Sequence, residues 1–385
     1  MAMHIGAIIH FSSNAATLSY PLMSDHGFQL AMPYPPKGDQ PRAIEQLLDG
    51  LHNQTPHQVL LGVTGSGKTY TLAQVINQWQ KPTLILAPNK TLAAQLYNEF
   101  HTLFPNNAVE YFISYFDYYQ PEAYLPSSDT YIEKDSAINE QIDKLRHQAT
   151  KSVLTRRDVI VIASVSAIYG IGSPENYAKS RFELTVNQAI TPGEITRQLM
   201  TMQYKRVVND DLTRGTYRHI GQRVDVYPTY DELEALRIQF HNDRIESIER
   251  IDPFSGFTYK THTQIEIFPA SHYVVSDDDH HRAIKAIKAE LKERLNVLRH
   301  SGKHIEAERL DQRTTQDIEM LTHLGFCPGI ENYSRHLENR ASGESPSTLM
   351  HYFPKDFLLI IDESHITVPQ VRGMYEGDQS RKRTL

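Results

Sequence analysis

A glycine-rich stretch at residues 62–69 constrains the fold of this chain more than any other feature. It reads Gly62-Val63-Thr64-Gly65-Ser66-Gly67-Lys68-Thr69 and fits G-x-x-x-x-G-K-[ST] at every fixed position. The apolar run Val59-Leu60-Leu61 precedes it, and a helix-compatible segment, Tyr70 to Trp79, follows. A strand, a phosphate-binding loop and a helix in this order define a P-loop. The sequence therefore predicts a nucleoside triphosphate site rather than a glycine-rich turn without a ligand.

The residue types in this loop suit a phosphate ligand. Glycines let backbone N–H groups form an anion-binding nest at a helix N-terminus. Lys68 can reach the β- and γ-phosphates, and the Thr69 hydroxyl can ligate Mg²⁺. We therefore predict that the loop binds a nucleoside triphosphate together with Mg²⁺.

A second candidate segment, residues 356–365, lies near the end of the sequence. It reads Asp-Phe-Leu-Leu-Ile-Ile-Asp-Glu-Ser-His, an apolar strand followed by Asp362 and Glu363. Asp362 would hold Mg²⁺ through water, and Glu363 would orient or deprotonate the attacking water. Adjacent acids at a strand end are common by chance. Because this chain also has a P-loop, the pair favours the other half of an ATPase site.

Apolar strands and amphipathic helices alternate in the first part of the chain. The predicted elements are a helix at Pro41–Leu51, a strand at Thr83–Ala87, a helix from Leu92 to about Phe104, a helix at Asp135–Leu154 and a strand at Asp158–Ser164. Alternation of this kind is typical of an α/β fold with a parallel sheet covered by helices on both faces. Ligands collect at the carboxyl edge of such a sheet.

Aromatic residues are concentrated at positions 111–131. They are Tyr111, Phe112, Tyr115, Phe116, Tyr118, Tyr119, Tyr124 and Tyr131. Turn residues between them predict a β-hairpin. Exposed aromatic rings stack on nucleic acid bases with roughly 1–3 kcal/mol per base. A tyrosine-rich packing ladder is an equally good interpretation of these residues alone.

The pattern of predicted secondary structure changes after Ser180. Shorter strands, such as Arg223–Pro228 and Arg237–Phe240, predict an inserted α+β domain. The run Asp277-Asp278-Asp279-His280-His281 looks like a metal cluster, but Ser276 can cap a helix and acids favour a first helical turn. We therefore predict a helix start there. Helices at Arg282–Arg299 and from about Lys303 to His323 follow, with Gly325 as a stop.

Composition limits the remaining classes of function. The chain has 385 residues, 39 Lys and Arg against 46 Asp and Glu, and a formal net charge of −7, so a general basic coat for nucleic acid is absent. The single cysteine, Cys327, excludes an internal disulfide and favours a reducing, cytoplasmic location. No apolar run approaches the ~20 residues that span a bilayer, and we expect neither a membrane partner nor a signal peptide.

Longer motifs resemble the B subunits of the bacterial UvrABC excinuclease, a family of superfamily 2 helicase-like proteins of nucleotide excision repair. The resemblance runs from about Phe28 to the last residue. The motifs are Pro36-Lys37-Gly38-Asp39-Gln40-Pro41, the P-loop, Pro88-Asn89-Lys90-Thr91-Leu92-Ala93-Ala94-Gln95-Leu96, Tyr118-Tyr119-Gln120-Pro121-Glu122-Ala123-Tyr124, Cys327-Pro328-Gly329-Ile330-Glu331-Asn332-Tyr333-Ser334-Arg335 and Asp362-Glu363-Ser364-His365.

The resemblance implies specific roles. ATP and Mg²⁺ would be the cofactors, Gln40 would read adenine, and Tyr34 would lie beside the base. A hairpin at about 115–137 would grip one strand of damaged DNA through Tyr115, Phe116, Tyr118, Tyr119, Glu122 and Tyr124. The A subunit would dock on the inserted domain through Arg206, Arg214 and Arg218. In a full-length protein the C subunit would be recruited later to incise the DNA, and we expect its site to be lost with the C-terminal region that this sequence lacks.

The resemblance also implies a division of the chain. We expect a disordered extension (1–27), a RecA-like ATPase domain (28–179), an inserted docking domain (180–268), a helical subdomain (269–355) and a return to the RecA-like sheet (356–385). Phe116 stands where the family has Tyr, and Ile220 stands where an Arg is expected.

The second RecA-like domain of the family, which supplies an arginine finger worth about 10³–10⁵ in kcat, is missing from this sequence. We therefore expect this chain alone to bind ATP–Mg²⁺ weakly and to hydrolyse it very slowly, and robust turnover would contradict that expectation. Two rival functions are a non-hydrolysing fragment that only binds DNA or the A subunit, and a generic superfamily 2 translocase.

Overall fold

The computed structural model describes residues 3–10, 27–32, 34–120, 123–125, 128, 130–132, 135–208, 212–231, 233–275 and 277–384. The chain divides into two compact units. Unit 1 comprises Met1–Tyr169 and Leu349–Leu385, and unit 2 comprises Gly170–Thr348. Within the described ranges, no helix is both long enough and apolar enough to cross a bilayer.

Strands and helices alternate through much of unit 1, whereas in unit 2 a series of strands is followed by two long helices. The strands are β1 Met3–His10, β2 His57–Val63, β3 Thr83–Leu86, β4 Ala108–Phe112, β5 Phe116–Gln120, β6 Ala123–Leu125, β7 Thr130–Ile132, β8 Asp135–Ile138, β9 Val159–Ala163, β10 Phe182–Thr185, β11 Lys205–Arg206, β12 Thr216–Ile220, β13 Arg223–Tyr227, β14 Ala235–His241, β15 Arg244–Ile251, β16 Thr258–His262, β17 Gln264–Ile267 and β18 Leu358–Ile361. The helices are α1 Gln40–His52, α2 Lys68–Trp79, α3 Lys90–Leu103, α4 Glu140–Thr155, α5 Pro174–Lys179, α6 Pro192–Thr201, α7 Asp277–His300, α8 His304–Leu324, α9 Ser334–Leu337, α10 Leu349–Tyr352 and α11 Ser364–Thr384.

A six-stranded sheet in the order β2-β1-β18-β3-β9-β4 forms the centre of unit 1. Strands β18, β3, β9 and β4 run parallel to one another. Every residue of these four strands is buried, which is the burial expected of a parallel sheet covered on both faces. The predicted α/β fold is therefore confirmed.

Strand β1 differs from the expectation that residues 1–27 form a disordered extension. Residues 3–10 pair antiparallel with β2 on one side and with β18 on the other. The composition of this segment did not predict a strand, because its pairing depends on two strands that are far away in the sequence. Residues 11–26 lie outside the described part of the chain.

The predicted helix at Asp135–Leu154 is wrong at its start. Residues Asp135–Ile138 form β8, which pairs antiparallel with β5 as the returning strand of a hairpin. Asn139 then caps α4, and its side-chain oxygen accepts a hydrogen bond from the backbone N–H of Ile142 at 3.1 Å. A side-chain cap of this kind starts a helix at a defined residue, so the helix begins only at Glu140.

A three-way ion contact holds the beginning of β18 against two neighbouring strands. The Asp356 carboxylate accepts hydrogen bonds from Lys81 Nζ at 2.9 Å and from Arg157 Nη2 at 2.6 Å. Partial burial raises the pKa of Asp356, but these hydrogen bonds and the two positive charges outweigh burial and lower the pKa to about 2. Residues before β3, β9 and β18 are thus tied together at the amino edge of the sheet.

Unit 2 contains a six-stranded sheet in the order β11-β12-β13-β14-β15-β16. One face of this sheet and helix α6 share an apolar core, which includes Ile195, Leu199, Val224, Ile238 and Ile248. Helix α6 begins with a capping box between Thr191 and Glu194. The strands that were predicted after Ser180 are confirmed as β13 and β14.

The helical part of unit 2 begins at the acidic run. Helix α7 starts at Asp277, as predicted, while the proposed cap, Ser276, lies outside the described residues. Gly325 ends α8 with a φ of +69°, a left-handed conformation that favours glycine. Cys327 is buried in the core of these helices, and burial raises the pKa of its thiol to about 12.

A buried carboxyl group lies in β4. Glu110 accepts a hydrogen bond from Ser152 Oγ at 2.6 Å, and its burial raises the pKa of the carboxyl group from 4.5 to about 7. Between these two pH values the unfolded chain has released this proton while the folded chain still holds it. The free energy of unfolding must therefore fall as the pH rises through this window.

We predict that Glu110→Gln removes this pH dependence, since an amide keeps the acceptor for Ser152 and carries no charge. Between pH 5 and pH 8 the wild-type protein should lose about 2–3 kcal/mol relative to the variant. Urea unfolding of both proteins at both pH values measures the difference, and the other titrating groups cancel because both proteins share them. A difference in stability that is the same at pH 5 and pH 8 would contradict the assignment.

Candidate nucleotide site and aromatic hairpin

The predicted P-loop connects the end of β2 to the start of α2. Gly65 and Gly67 both have a φ of +79°, which non-glycine residues rarely adopt. A Cβ atom on Gly67 would lie 2.4 Å from Gln40 Nε2. Gly67 is therefore favoured by its backbone conformation, and a larger residue there would displace the end of the Gln40 side chain.

Lys68 starts α2 and turns its ammonium group toward the loop. Its Nζ donates to the carbonyl oxygens of Gly62 at 3.0 Å and Val63 at 3.4 Å. Thr69 lies in the first helical turn and is half-buried, whereas residues 64–66 are exposed. The loop thus presents backbone N–H groups, a helix N-terminus and one ammonium group on an open surface, which is the chemistry that binds phosphate.

Gln40 and Tyr34 lie beside this loop, where the resemblance places the adenine. The Gln40 amide donates from Nε2 to the carbonyl of Ser66 at 3.2 Å, and its Oε1 accepts from the N–H of Lys37 at 3.0 Å. The Tyr34 ring is 51% exposed and lies 5.6 Å from the ring of Tyr70. Tyr70 Oη also donates to the carbonyl of Tyr34 at 2.7 Å. The sequence analysis did not predict a role for Tyr70. Its position three residues after Gly67, in the first turn of the helix that follows the P-loop, could have indicated that it lies near the nucleotide site.

Asp362 and Glu363 follow β18 at the carboxyl edge of the sheet. Strands β2 and β18 are each antiparallel to β1 and hence parallel to each other, so the P-loop and the two acids leave the same edge. Strand β1 lies between them, which separates the strands by about 10 Å. The Asp362 N–H donates to the carbonyl of Leu86 at 2.8 Å, which joins this site to β3.

The conformation of Glu363 is unusual for a residue of its type. Its φ is +44°, and its side chain is 10% exposed. The His365 imidazole Nδ1 lies 3.5 Å from Glu363 Oε2. A left-handed backbone at a non-glycine residue costs free energy and is concentrated at functional sites, which is consistent with the role predicted for Glu363.

Oxygen ligands for a hard cation lie at this same edge. Thr69 offers a hydroxyl group and Asp362 a carboxylate, and both are ligands that Mg²⁺ accepts alongside water and phosphate oxygens. Among the described residues there is no group of three His, Cys, Asp or Glu side chains with metal-binding geometry. The Thr69 hydroxyl and the Asp362 carboxylate suit a Mg²⁺ ion that would be held jointly with a nucleotide.

The aromatic segment forms the predicted β-hairpin. Strand β5 pairs with β8, with Phe116 opposite Ile138, and β6 pairs with β7, with Tyr124 opposite Tyr131. Tyr118 is 51% exposed, and its hydroxyl donates to Gln120 Oε1 at 2.7 Å. Glu122 and the side chains of Tyr119 and Tyr124 lie outside the described residues.

The root of the hairpin packs on a buried arginine. The Arg146 guanidinium lies 3.9 Å from the ring centroid of Phe112 and 4.8 Å from that of Tyr115. Its Nη1 donates to the carbonyl of Ile113 at 2.7 Å. Tyr115 stacks in turn on Phe116, with their centroids 4.4 Å apart. At this end of the hairpin Tyr115 and Phe116 pack against other side chains, as expected for a packing ladder. Tyr118 is exposed instead.

A lysine connects the hairpin to the nucleotide side of the sheet. Lys90 begins α3, directly after β3, and its Nζ donates to the carbonyl of Phe116 at 3.1 Å. The sequence did not predict structural roles for Lys90 or Arg146. Their contacts depend on tertiary packing, and the only signal was the position of Lys90 in a motif shared with the family.

The three predicted docking arginines have different environments in unit 2. Arg206 is exposed in β11. Arg214 Nη1 donates to the carbonyl of Thr229 at 2.6 Å, and Arg218 is 8% exposed and bonds to Asp225 through Nε at 2.9 Å. The role of these side chains in docking stays a prediction, and part of the hydrogen-bonding capacity of Arg214 and Arg218 is used within the unit.

A parallel sheet with a P-loop and an Asp-Glu pair at one edge defines the class of helicase-like P-loop proteins. Comparisons with known families agree. The model described as "Type III restriction enzyme, res subunit" matches residues 34–167, "UvrB interaction domain" matches 182–273, and "UvrB third helical domain" matches 278–339.

Individual relatives extend this match along the chain. The chain is 56% identical over 364 residues to "UvrABC system protein B" of Oleidesulfovibrio alaskensis, which covers 94% of the chain and 53% of that protein. Proteins of the same name from Bifidobacterium longum (54% over 363 residues; 94% and 51%) and Bacillus licheniformis (53% over 359 residues; 93% and 54%) are also similar. The chain contains segments that match UvrB domain models and is similar to these proteins over 93–94% of its own length, and it spans about half the length of the curated relatives it matches.

We predict that Gly67→Ala abolishes ATP binding, because the added Cβ displaces the Gln40 amide that bonds to Ser66 and strains the left-handed backbone at the start of α2. The left-handed backbone should cost a further ~1–2 kcal/mol of stability. Gly302→Ala is the matched control, since Gly302 has a φ of +74° and open space around it. Both variants should lose similar stability in urea unfolding, and only Gly67→Ala should lose binding of a fluorescent ATP analogue. Unchanged nucleotide binding by Gly67→Ala would contradict the site.

Proposed function

We propose that this chain is the ATP-binding, DNA-gripping part of a damage-verification subunit in UvrABC nucleotide excision repair. The A subunit loads it onto distorted DNA, the hairpin grips one strand, and the C subunit is recruited afterwards to make the incisions. The chain contributes verification and ATPase chemistry, and the cutting nuclease belongs to the partner.

The observation that carries this proposal is the attachment of the aromatic hairpin to the body of the P-loop sheet. Helix α4 and strand β4 bracket the hairpin, and Arg146 of α4 holds its root. Tyr118 remains half exposed on β5, where its ring is available to stack on a base. Because the chain is acidic overall, stacking and loading by a partner support DNA binding more than phosphate attraction does.

Each residue of the nucleotide site would have a different role in ATP binding and hydrolysis. Lys68 would hold the β- and γ-phosphates, Thr69 and Asp362 would hold Mg²⁺, and Glu363 would orient the attacking water. Bound Mg²⁺ supplies charge neutralisation of the phosphate oxygens. Gln40 would read the edge of the adenine with its amide, which offers both a donor and an acceptor.

A continuous set of contacts links this site to the hairpin. The Asp362 N–H bonds to the carbonyl of Leu86 at the end of β3. Helix α3 starts four residues later, with Asn89 as its cap, and Lys90 of this helix bonds to Phe116 in the hairpin. We propose that a shift of the Asp362 segment reaches the hairpin through the end of β3 and the start of α3.

We predict that Tyr118→Ala combined with Tyr119→Ala weakens binding to damaged single-stranded or bubble DNA by at least about tenfold. The loss of two stacking rings is the physical reason. Binding of an ATP analogue should be unchanged, because neither residue belongs to the nucleotide site. Tyr375→Ala is the matched control, since this tyrosine is 61% exposed and lies outside the hairpin.

Fluorescence anisotropy with a labelled bubble substrate, with the A subunit present, measures the effect. If the double variant loads onto DNA as well as the wild type, the hairpin assignment is wrong. If neither protein binds DNA but both bind the A subunit, the chain acts as a docking fragment, and the proposal of a DNA grip fails.

A further inference from the structure

The connection between β15 and β16 exposes large apolar side chains to water. We call residues 252–259 the aromatic turn. Phe254 is 92% exposed, Phe257 is 65% exposed and Tyr259 is 50% exposed. The rings of Phe257 and Tyr259 meet edge to face, with their centroids 5.5 Å apart. Clustered exposed aromatic residues mark interaction sites more often than single exposed ones do.

Hydrogen bonds fix the backbone of this turn. Asp252 Oδ1 accepts from the N–H groups of Phe254 at 3.0 Å and Ser255 at 2.6 Å, and its Oδ2 accepts from Tyr259 Oη at 3.1 Å. The Asp252 N–H also donates to the carbonyl of Phe257 at 2.8 Å. These hydrogen bonds fix the backbone that exposes Phe254 to water. Docking of a partner would therefore cost little conformational entropy in this turn.

An arginine joins the aromatic turn to the face of the sheet that does not share the core with α6. Arg237 Nη1 contacts the carbonyl of Gly256 at 3.4 Å. Its Nε donates to Asp225 Oδ1 at 3.0 Å. The fully buried Asp225 carboxylate is also bonded by Arg218 at 2.9 Å and approached by Arg223 at 3.5 Å. We call these three arginines and Asp225 the arginine cluster.

The arginine cluster carries a net positive charge, since three guanidinium groups surround one carboxylate. Glu249 lies opposite Arg237 in the sheet, and its carboxylate accepts from the hydroxyls of Ser247 and Thr258. With Asp252 of the aromatic turn counted, three carboxylates balance the three guanidinium groups at this place. A partner that covers the aromatic turn would therefore meet an apolar contact without a large excess of charge of either sign.

We propose that the aromatic turn is the energetic centre of the surface on which the A subunit docks. It would insert Phe254 and Phe257 into an apolar pocket of that partner. This inference rests on the proposed function, since that function supplies the partner, and it adds residues outside the set that the sequence predicted. Aromatic anchors at the centre of an interface and charges at its rim are the usual division of binding energy.

A protein partner fits this surface better than nucleic acid does. Arg218 is only 8% exposed and is bonded to Asp225, so little of its charge can reach a phosphate group. The Tyr259 hydroxyl is bonded to Asp252, which places a carboxylate within the turn, where a nucleic acid backbone would be repelled. Residues 182–273, which include the aromatic turn, match the UvrB interaction domain.

The test is the affinity of the chain for purified A subunit, measured by biolayer interferometry. We expect Phe254→Ala with Phe257→Ala to weaken binding by at least about tenfold. Leu324→Ala is the matched control, because Leu324 is 65% exposed at the end of α8, and it should bind as the wild type does. Both variants should keep the wild-type urea midpoint and ATP-analogue binding, since the substituted side chains are exposed and distant in sequence from the P-loop.

The remaining outcomes separate this inference from the proposed function. If the wild type and the Phe254/Phe257 double variant bind the A subunit equally, the inference is overturned and the proposed function stands. If the double variant keeps A-subunit binding but loses binding to a labelled oligonucleotide, the turn is a nucleic acid contact and the inference is also overturned. If the wild type itself does not bind the A subunit, the partner assignment in the proposed function fails, and the inference fails with it.

Discussion

The return of the chain to the first sheet at β18 is the constraint on which the candidate site depends. Hydrogen bonds pair β18 with β3 across more than half of the sequence, and Asp356 fixes the start of β18 to Lys81 and Arg157. Without this pairing, Asp362 and Glu363 would not share a sheet edge with the P-loop. In the sequence, unit 2 lies between the two segments of unit 1, so the residues of the proposed ATPase site are separated along the chain by a long insertion.

The hairpin and the nucleotide site use the same sheet in different ways. The carboxyl edge of the parallel strands provides the P-loop, the acids and the start of α3, where backbone groups and helix ends favour phosphate. The hairpin leaves from the end of β4 and returns to α4, where Arg146 stacks under Phe112 and Tyr115. A buried arginine between aromatic rings resists reorientation, because its charge is compensated only in that position. The contacts of Arg146 therefore fix the position of the hairpin root. Tyr118 is exposed on the strand that follows this root.

The comparisons with known proteins and the structure answer different questions about the docking surface. The matches to UvrB domains establish which proteins the chain resembles, whereas the contacts within unit 2 show that Arg218 is largely committed to Asp225. Phe254 and Phe257 are far more exposed than Arg218, so they are better candidates for contact with a partner. The surface chemistry of the aromatic turn is hydrophobic, which a search for charged docking residues does not detect.

The sequence by itself determined the P-loop, the strand before the Asp-Glu pair, the approximate limits of α1, α2, α3, α7 and α8 and the existence of the hairpin, because these depend on local periodicity, glycine conformation and capping. It did not predict α5, α6, α9, α10 or α11. It mispredicted Asp135–Ile138 as helix and residues 3–10 as disordered, since both segments become strands only through partners distant in the chain. Tertiary structure alone decided that Arg146 supports the hairpin, that Lys90 reaches Phe116 and that Glu110 is buried with a raised pKa. Each of these depends on desolvation or on contact between separate elements, and neither quantity is encoded in a local pattern of residues.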